Sequence, residues 1–313
     1  MIGYILRRLA ATVPVMLIVA VLVFLMLRLT PGDPAAIIAG DNANAEQIAQ
    51  IRNRLGLDQP LFSQFFIWLA NLFHGDFGES FFFKKTVAEL IVSRLEPTIA
   101  LSLFTITLAV VIAVPLGVLA AYKQGTWVDK IVMGFSVLGF SVPVFVIGYS
   151  LIYLFAIKLN WLPVQGYQRI ADGFGGFLVR LLLPSLTLSV IYVALIARMT
   201  RASVIDVLGE DYIRTARAKG QVEIKVLFRH ALKNAAVPIV TVIGLGVALL
   251  IGGVVVTESV FTIPGLGRLT VDAVLARDYP TIQAVILLFS FVYVLINLLI
   301  DLIYTVVDPR IRY

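Results

Sequence analysis

His74 and His230 are the only histidines in this chain, and there is no cysteine. A thiolate nucleophile, a thiolate metal site and a disulfide framework are therefore excluded. The two imidazoles lie in segments predicted to fall on opposite sides of a membrane, so they cannot share a metal. No HExxH pattern occurs, and no long apolar run holds a histidine that could act as base to a buried serine. Gly244-Leu245-Gly246 sits inside an apolar run rather than at a strand-to-helix turn, and there is no P-loop. The chain is predicted not to hydrolyse nucleotide by itself, and no cofactor is predicted for it. The remaining polar groups within or at the ends of apolar runs are few: Ser136, Ser141, Ser150, Thr241, Thr257, Glu258, Ser290, Asn297 and Asp301. An ionisable group in such a place is a functional candidate. Ser141, Pro143, Thr241, Gly244, Glu258 and Asn297 are taken as candidates for a transmembrane path or its gate. Glu258 is expected at the outer end of its span, within reach of water.

The densest charge lies in residues 210–240. Asp211 to Lys219 reads as a short helix, with Asp211 favouring its N-terminus and Lys219 its C-terminal end. Gly220 fits the left-handed position just past that end. Tyr212 and Ala216, four residues apart with Ile213 beside them, predict a small apolar face ringed by Arg214, Arg217 and Lys219. A second amphipathic helix is expected from about Val222 through His230 to Asn234. Pro238 falls in the first turn or so of the next apolar run. Such an element either rests on anionic lipid or is offered to a groove on a soluble partner.

The elements that must position these residues are membrane spans. With 60% hydrophobic and 14% charged residues, the chain holds far less charge than the roughly 25% of a soluble domain. Six spans are predicted, at 9–27, 98–122, 131–157, 181–197, 236–256 and 282–306, giving an all-α polytopic fold. Pro115, Gly117, Gly134, Gly139, Gly148, Gly252 and Gly253 also lie within them, which permits close packing and kinked helices. Residues 198–233 hold eight Lys/Arg against four acids, whereas residues 31–96 hold eight acids against five basic residues. The positive-inside rule therefore puts residues 198–233 and both termini, with Arg7, Arg8, Arg310 and Arg312, in the cytoplasm. Arg7-Arg8 ahead of an apolar run that is long for a signal peptide reads as an uncleaved anchor. The net charge of +6 reflects this asymmetry and does not point to nucleic acid.

Three regions follow: 1–30, the tail and first span; 31–96, an outer segment of short helices; and 97–313, a five-helix core whose cytoplasmic loop covers about 201–234. Within the outer segment, Asn44 and Gln47 predict a capping box, with Ile48, Ile51 and Leu55 on one face and Gly56 closing the helix. Residues 61–73 are apolar but too short to span, which predicts an interfacial helix with Trp68 at headgroup depth. Thr86 and Glu89 predict another capping box, opening a helix that ends before Pro97.

Arg214-Thr215-Ala216, Gly220 and Arg229-His230-Ala231-Leu232-Lys233-Asn234 resemble the EAA loop of bacterial ABC importer permeases. The variant is similar to that of the dipeptide, oligopeptide, glutathione and nickel group. Tyr4-Ile5-Leu6-Arg7-Arg8, Leu29-Thr30-Pro31-Gly32-Asp33-Pro34-Ala35, Leu55-Gly56-Leu57-Asp58-Gln59-Pro60, Gly75-Asp76-Phe77-Gly78, Pro264-Gly265-Leu266-Gly267-Arg268 and Asp308-Pro309-Arg310 extend the match in order along the chain. The resemblance implies the type I importer permease fold and a heterodimer with a second permease in the bacterial inner membrane. Two cytoplasmic ATPases carrying ATP and magnesium, a periplasmic peptide-binding protein and membrane lipid would be the other partners. It implies that Tyr212, Ile213, Arg214, Thr215, Ala216, Arg217 and Gly220 meet an ATPase. Where the general pattern has Glu-Ala-Ala, this chain has Arg-Thr-Ala, so the glutamate's role does not carry over. Short peptides are the implied substrate, with a nickel chelate as the alternative. A stand-alone secondary transporter would need buried carboxylates in mid-span or an inverted repeat, and neither is evident.

Overall fold

A computed structural model describes residues 2–29, 33–39, 43–54, 56–80 and 82–307. In chain order the elements are α1 (Ile2–Leu29), α2 (Pro34–Ala39), α3 (Ala45–Arg54), α4 (Leu61–Phe73) and the two-residue strands β1 (Glu79–Ser80) and β2 (Lys85–Thr86). Next come α5 (Val87–Tyr122), α6 (Trp127–Ser141) and α7 (Val144–Leu151), the last running on as a π-helical turn, Ile152–Lys158. Then follow α8 (Phe174–Leu208), α9 (Asp211–Ala218) and α10 (Glu223–Lys225). A second π segment, Val226–Ala231, leads into α11 (Leu232–Asn234) and α12 (Ala236–Val260). The chain continues through α13 (Leu266–Leu275) and α14 (Tyr279–Val307). Five helices are long and apolar enough to cross a membrane, and α6 with α7 forms a sixth, bent segment. This is the expected all-α polytopic architecture, apart from one small antiparallel hairpin that pairs Glu79 with Thr86.

Two expectations about the spans need correction. The predicted third span is bent by 106° between α6 and α7. Val142 is extended at φ −96°, ψ 126° because the ring of Pro143 disfavours helical geometry in the residue before it. Pro143 then opens α7. Conversely, the helix opened at Thr86 does not stop before Pro97 but runs through it to Tyr122. Thr86 Oγ1 accepts the Glu89 amide at 3.3 Å. The turns before Pro97 bury Val87, Leu90 and Ile91, and those after it bury Leu101 and Thr105. Burial on either side outweighs the roughly 3 kcal/mol that an interior proline costs.

The chain divides into two compact units, Met1–Glu96 with Gly265–Leu295, and Pro97–Pro264 with Ile296–Tyr313. In the first, the Asn44–Gln47 capping box is complete: the Gln47 amide donates to Asn44 Oδ1 at 2.8 Å, and the Asn44 amide to Gln47 Oε1 at 3.0 Å. Gly56, at φ +62°, follows α3, while Leu55 lies outside the described residues. Helix α4 leaves Phe62, Phe66, Ile67 and Phe73 exposed and packs Trp68 against Phe24 of α1. Its buried Gln64 accepts from Arg28 Nε at 3.0 Å and donates to the carbonyls of Leu57 and Gln59.

The second unit is organised on α8, 61% of whose apolar window is buried, against 39% or less for the other straight spans. Neighbouring helices reach it through small residues. A Cβ on Gly117 of α5 would lie 2.6 Å from Thr200 Cβ and 2.7 Å from the Ala197 carbonyl oxygen. A Cβ on Gly139 of α6 would lie 3.0 Å from Ala194 Cβ, and one on Gly253 of α12 would lie 2.7 Å from Leu188 Cδ1. Such approaches hold helices together where lipid offers no hydrophobic drive for their association.

Because the atoms facing Gly117 include backbone, they cannot yield. Gly117→Leu should destabilise the purified protein by ~1–3 kcal/mol and lower its thermal midpoint by several degrees. Gly134→Leu, placed where nothing lies within 4 Å of an added Cβ, should leave the midpoint unchanged. Equal midpoints for the two variants would contradict this packing.

Candidate coupling element and membrane path

Helix α9 begins after Glu210, extended at φ −73°, ψ 147°, and carries Asp211 in its first turn and Arg217 in its last. It ends in a Schellman turn. The Gln221 amide donates to the Ala216 carbonyl at 3.3 Å and the Gly220 amide to the Arg217 carbonyl at 2.9 Å, with Gly220 at φ +75°. Arg217 closes on Glu223 across this turn, with Nη2–Oε1 at 2.6 Å and Nε–Oε1 at 3.2 Å. The carboxylate's hydrogen bond holds the Arg217 guanidinium above its ordinary pKa. Arg214 reaches Asp211 only loosely, at 3.4 Å, and both are exposed. Partial burial, with Glu210 nearby, pushes the Tyr212 phenol up, so it stays neutral at physiological pH.

The predicted apolar face of α9 divides in two. Ile213 is fully buried and Ala216 packs inward, while Tyr212, Arg214, Thr215 and Arg217 stay exposed. Ile213 is therefore not a surface group, because the protein's own core takes it, and Ala216 is half-buried against that core. That core joins Val118 and Ala121 of α5, Val204 of α8, Val226, Leu227 and Ala231 of the following helix, and Ile239 of α12. The expected helix from Val222 to Asn234 is present but carries the π segment Val226–Ala231. The wider π turn accompanies burial of Val226, Leu227 and Ala231, while Val222, Ile224 and Phe228 remain exposed. Those three apolar side chains, exposed like Tyr212, are surface candidates absent from the sequence-based expectation. Their signal was that they fall off the buried stripe. His230 takes a local role, with Nε2 2.9 Å from Gln221 Oε1, and His74 Nδ1 lies 2.7 Å from the Ala70 carbonyl.

A second missed feature is an ion pair. Asp129, buried in the first turn of α6, receives both Nε and Nη2 of Arg201 on α8, the latter at 2.7 Å. It also accepts the Gly125 amide at 3.0 Å. In the sequence Arg201 is only one of the loop's positive charges, because its partner lies 72 residues away. The pair fixes the start of the bent span to α8 two turns before α8 ends.

The path candidates are spread over several helices. Ser141 and Pro143 flank the break between α6 and α7, both exposed, with Ser141 Oγ bonded back to the Val137 carbonyl at 2.9 Å. Thr241 lies on an exposed stripe of α12 with Leu245 and Leu249, and its hydroxyl donates to the Val237 carbonyl at 2.7 Å. Gly244 is buried where an added Cβ would meet Ile300 Cδ1 of α14 at 2.6 Å. Asn297 is half-buried on α14. Glu258 is a correction: it is fully buried rather than near water, and the Thr98 hydroxyl of α5 donates to its Oε1 at 2.6 Å. The end of α12 packs there on α5, and the backbone turns back at once, with the Ile263 amide bonded to the Glu258 carbonyl at 2.9 Å.

Comparison with known proteins matches this arrangement to one family. Residues 113–313 fit the model described as binding-protein-dependent transport system inner membrane component, and residues 1–102 fit the N-terminal model of such membrane components. The chain is 56% identical over 310 residues to a probable peptide ABC transporter permease of Sinorhizobium fredii (strain NBRC 101917 / NGR234), covering 99% of each. It is 47% identical over 313 residues to the glutathione transport system permease protein GsiC of Escherichia coli (strain K12), covering 100% of each. A putative peptide transport system permease protein of Brucella abortus (strain 2308) is also 47% identical over the full length. Among solved structures, a chain of the MetNI methionine ABC transporter in an inward-facing conformation shares the fold. Its TM-score is 0.57 at 20% identity, over 70% of this chain and 96% of that one. The chain belongs to the family of inner membrane components of binding-protein-dependent transport systems.

Proposed function

We propose that this chain is one half of the translocation path of an ATP-driven importer of short peptides, working as a heterodimer with a second permease. Residues 198–233 and both termini face the cytoplasm in this reading, where two ATPases hold ATP and magnesium. A periplasmic binding protein delivers the peptide. The observation that carries the reading is α9. It is a short, basic helix, exposed on one side and seated on the other in a core shared with the ends of α5, α8 and α12. An ATPase that gripped Tyr212, Arg214, Thr215 and Arg217, with Val222, Ile224 and Phe228 beside them, would move three spans at once, because close-packed side chains transmit displacement instead of absorbing it. The peptide relatives and the charge asymmetry of the loops support the substrate class and the orientation.

The first test is reconstitution. Liposomes holding the full complex should import labelled di- or tripeptide only with Mg-ATP and the binding protein, and this chain alone should import none. Uptake by the chain alone would overturn the assignment.

The second test concerns Gly220. A β-branched residue at its positive φ costs ~1–3 kcal/mol of strain, so Gly220→Val should weaken the turn that holds α9 in register. Peptide uptake should fall by about tenfold, as ~1.4 kcal/mol implies, while basal ATP hydrolysis persists. Wild-type uptake with wild-type ATPase stimulation would show that Gly220 plays no part in coupling.

A further inference from the structure

Within the first unit, two cavities adjoin and differ in chemistry. The larger, about 600 Å³, is walled by apolar side chains such as Leu17 and Ala20 of α1, Leu72 of α4, Ile91 of α5, and Leu288 and Phe291 of α14. The smaller, about 300 Å³, is lined by Arg28, Trp68, Asn71, Gln283 and two carboxylates, Asp76 and Glu79. Phe77 lines both.

Their order along the helices is the same on two independent elements. On α1 the apolar cavity touches positions 12–20 and the polar one positions 27 and 28, at the end of the span Ala10–Leu29. On α14 the polar cavity touches Pro280 and Gln283, at the start of the span, and the apolar one residues 287–291. At ~1.5 Å per residue, Arg28 and Leu17 stand about 16 Å apart along α1, close to one leaflet of a hydrocarbon layer ~30 Å thick. The polar cavity thus opens at headgroup depth and the apolar cavity beneath it at acyl-chain depth.

The polar cavity holds charges of both signs with capacity to spare. Arg28 gives Nε to Gln64 and Nη1 to the Phe24 carbonyl at 3.2 Å, its guanidinium lies 3.6 Å over the Phe24 ring, and its Nη2 has no hydrogen-bond partner among the described residues. Asp76 Oδ1 accepts the Gly78 amide at 2.9 Å, and Oδ2 has no partner among the described residues. Gln283 is buried and donates its amide to the Val23 carbonyl at 2.9 Å, which orients its carbonyl oxygen. A phosphate suits the Arg28 fork, an ammonium suits Asp76, and Trp68 supplies an aromatic wall at the interface.

We propose that the paired cavities are a binding site for one zwitterionic aminophospholipid of the surrounding bilayer. Its phosphate lies at Arg28, its ammonium at Asp76 and one acyl chain between α1, α4 and α14. This inference does not rest on the peptide-import reading.

The test is native mass spectrometry of the full chain, purified from mixed micelles of phosphatidylethanolamine and phosphatidylglycerol with matched acyl chains. The wild type should retain phosphatidylethanolamine by about fivefold over phosphatidylglycerol, as a single charge-assisted contact provides. Leu17→Trp, which fills the apolar cavity, should abolish retention of both without lowering the thermal midpoint. Asp76→Asn, which leaves Glu79 as the cavity's remaining carboxylate, should lower the headgroup preference and keep total lipid, which separates loss of the site from misfolding. Equal retention of the two lipids by the wild type would mean an unspecific acyl groove and would overturn the proposal. So would undiminished retention in Leu17→Trp, or full displacement by soluble glycerophosphoethanolamine, which would indicate a site for a free headgroup.

Discussion

Close backbone approach to α8 is the constraint on which the rest of the second unit depends. Apolar side chains gain little by leaving lipid for another helix, so association must come from contact at short range. Gly117, Gly139 and Gly253 each remove the side chain that would hold a neighbour away from α8. Of the hydroxyls that α8 buries, Thr187 turns back onto the Leu183 carbonyl and Ser189 onto that of Leu186, both at 2.9 Å, while Ser185 and Thr200 have no hydrogen-bond partner among the described residues. The helix can therefore bury Thr187 and Ser189 without needing partners for them on its neighbours. Its surface stays smooth enough for three helices to lie against it.

That rigid centre gives α9 its mechanical meaning. Helix α8 ends at Leu208 and α9 begins at Asp211, so few residues separate the packed helix from the exposed one. Ile213 is the anchor: fully buried, it ties α9 to Val118, Val204 and Ile239 on three different spans. The Asp129–Arg201 pair adds the start of the bent span to the same assembly. A part-buried pair of this kind is weak evidence for stability, but its bidentate geometry fixes one relative placement of α6 and α8. The break at Val142 and Pro143 then separates α6 from α7, which packs on α8 through Gly148.

The first unit solves a different problem, that of polar side chains at the ends of spans. Asp278, buried just ahead of α14, accepts from Ser80 at 2.5 Å and Thr281 at 2.6 Å. Ser80 in turn accepts the Phe83 amide at 2.9 Å, so the small hairpin is tied to the start of a span. A carboxylate beside a helix N-terminus is favoured by the unpaired amides there. Arg28 and Gln64 perform the same service between α1 and α4. The Ser80–Asp278 and Arg28–Gln64 connections join residues distant in sequence, and each satisfies a group that hydrocarbon would leave bare.

Local features were legible in the residues alone. The existence and order of the six apolar segments, the reciprocal cap of Asn44 and Gln47, and the left-handed turn at Gly220 depend on neighbours within a few positions. Hydropathy, side-chain reach and the absence of a Cβ decide them. The exposed basic helix was also legible, because charge density and periodicity are local. What tertiary structure decided was direction and depth. Ile213 faces inward, Glu258 is buried against Thr98, α5 continues through Pro97, and Arg201 is bound by Asp129. Each outcome depends on which distant helix lies opposite, and a one-dimensional pattern carries no such information. The sequence by itself thus determined which segments enter the membrane and where a charged helix emerges. Packing against α8 decided which faces of those elements remain available to a partner, since the side that buries apolar area is set by helices brought together only on folding.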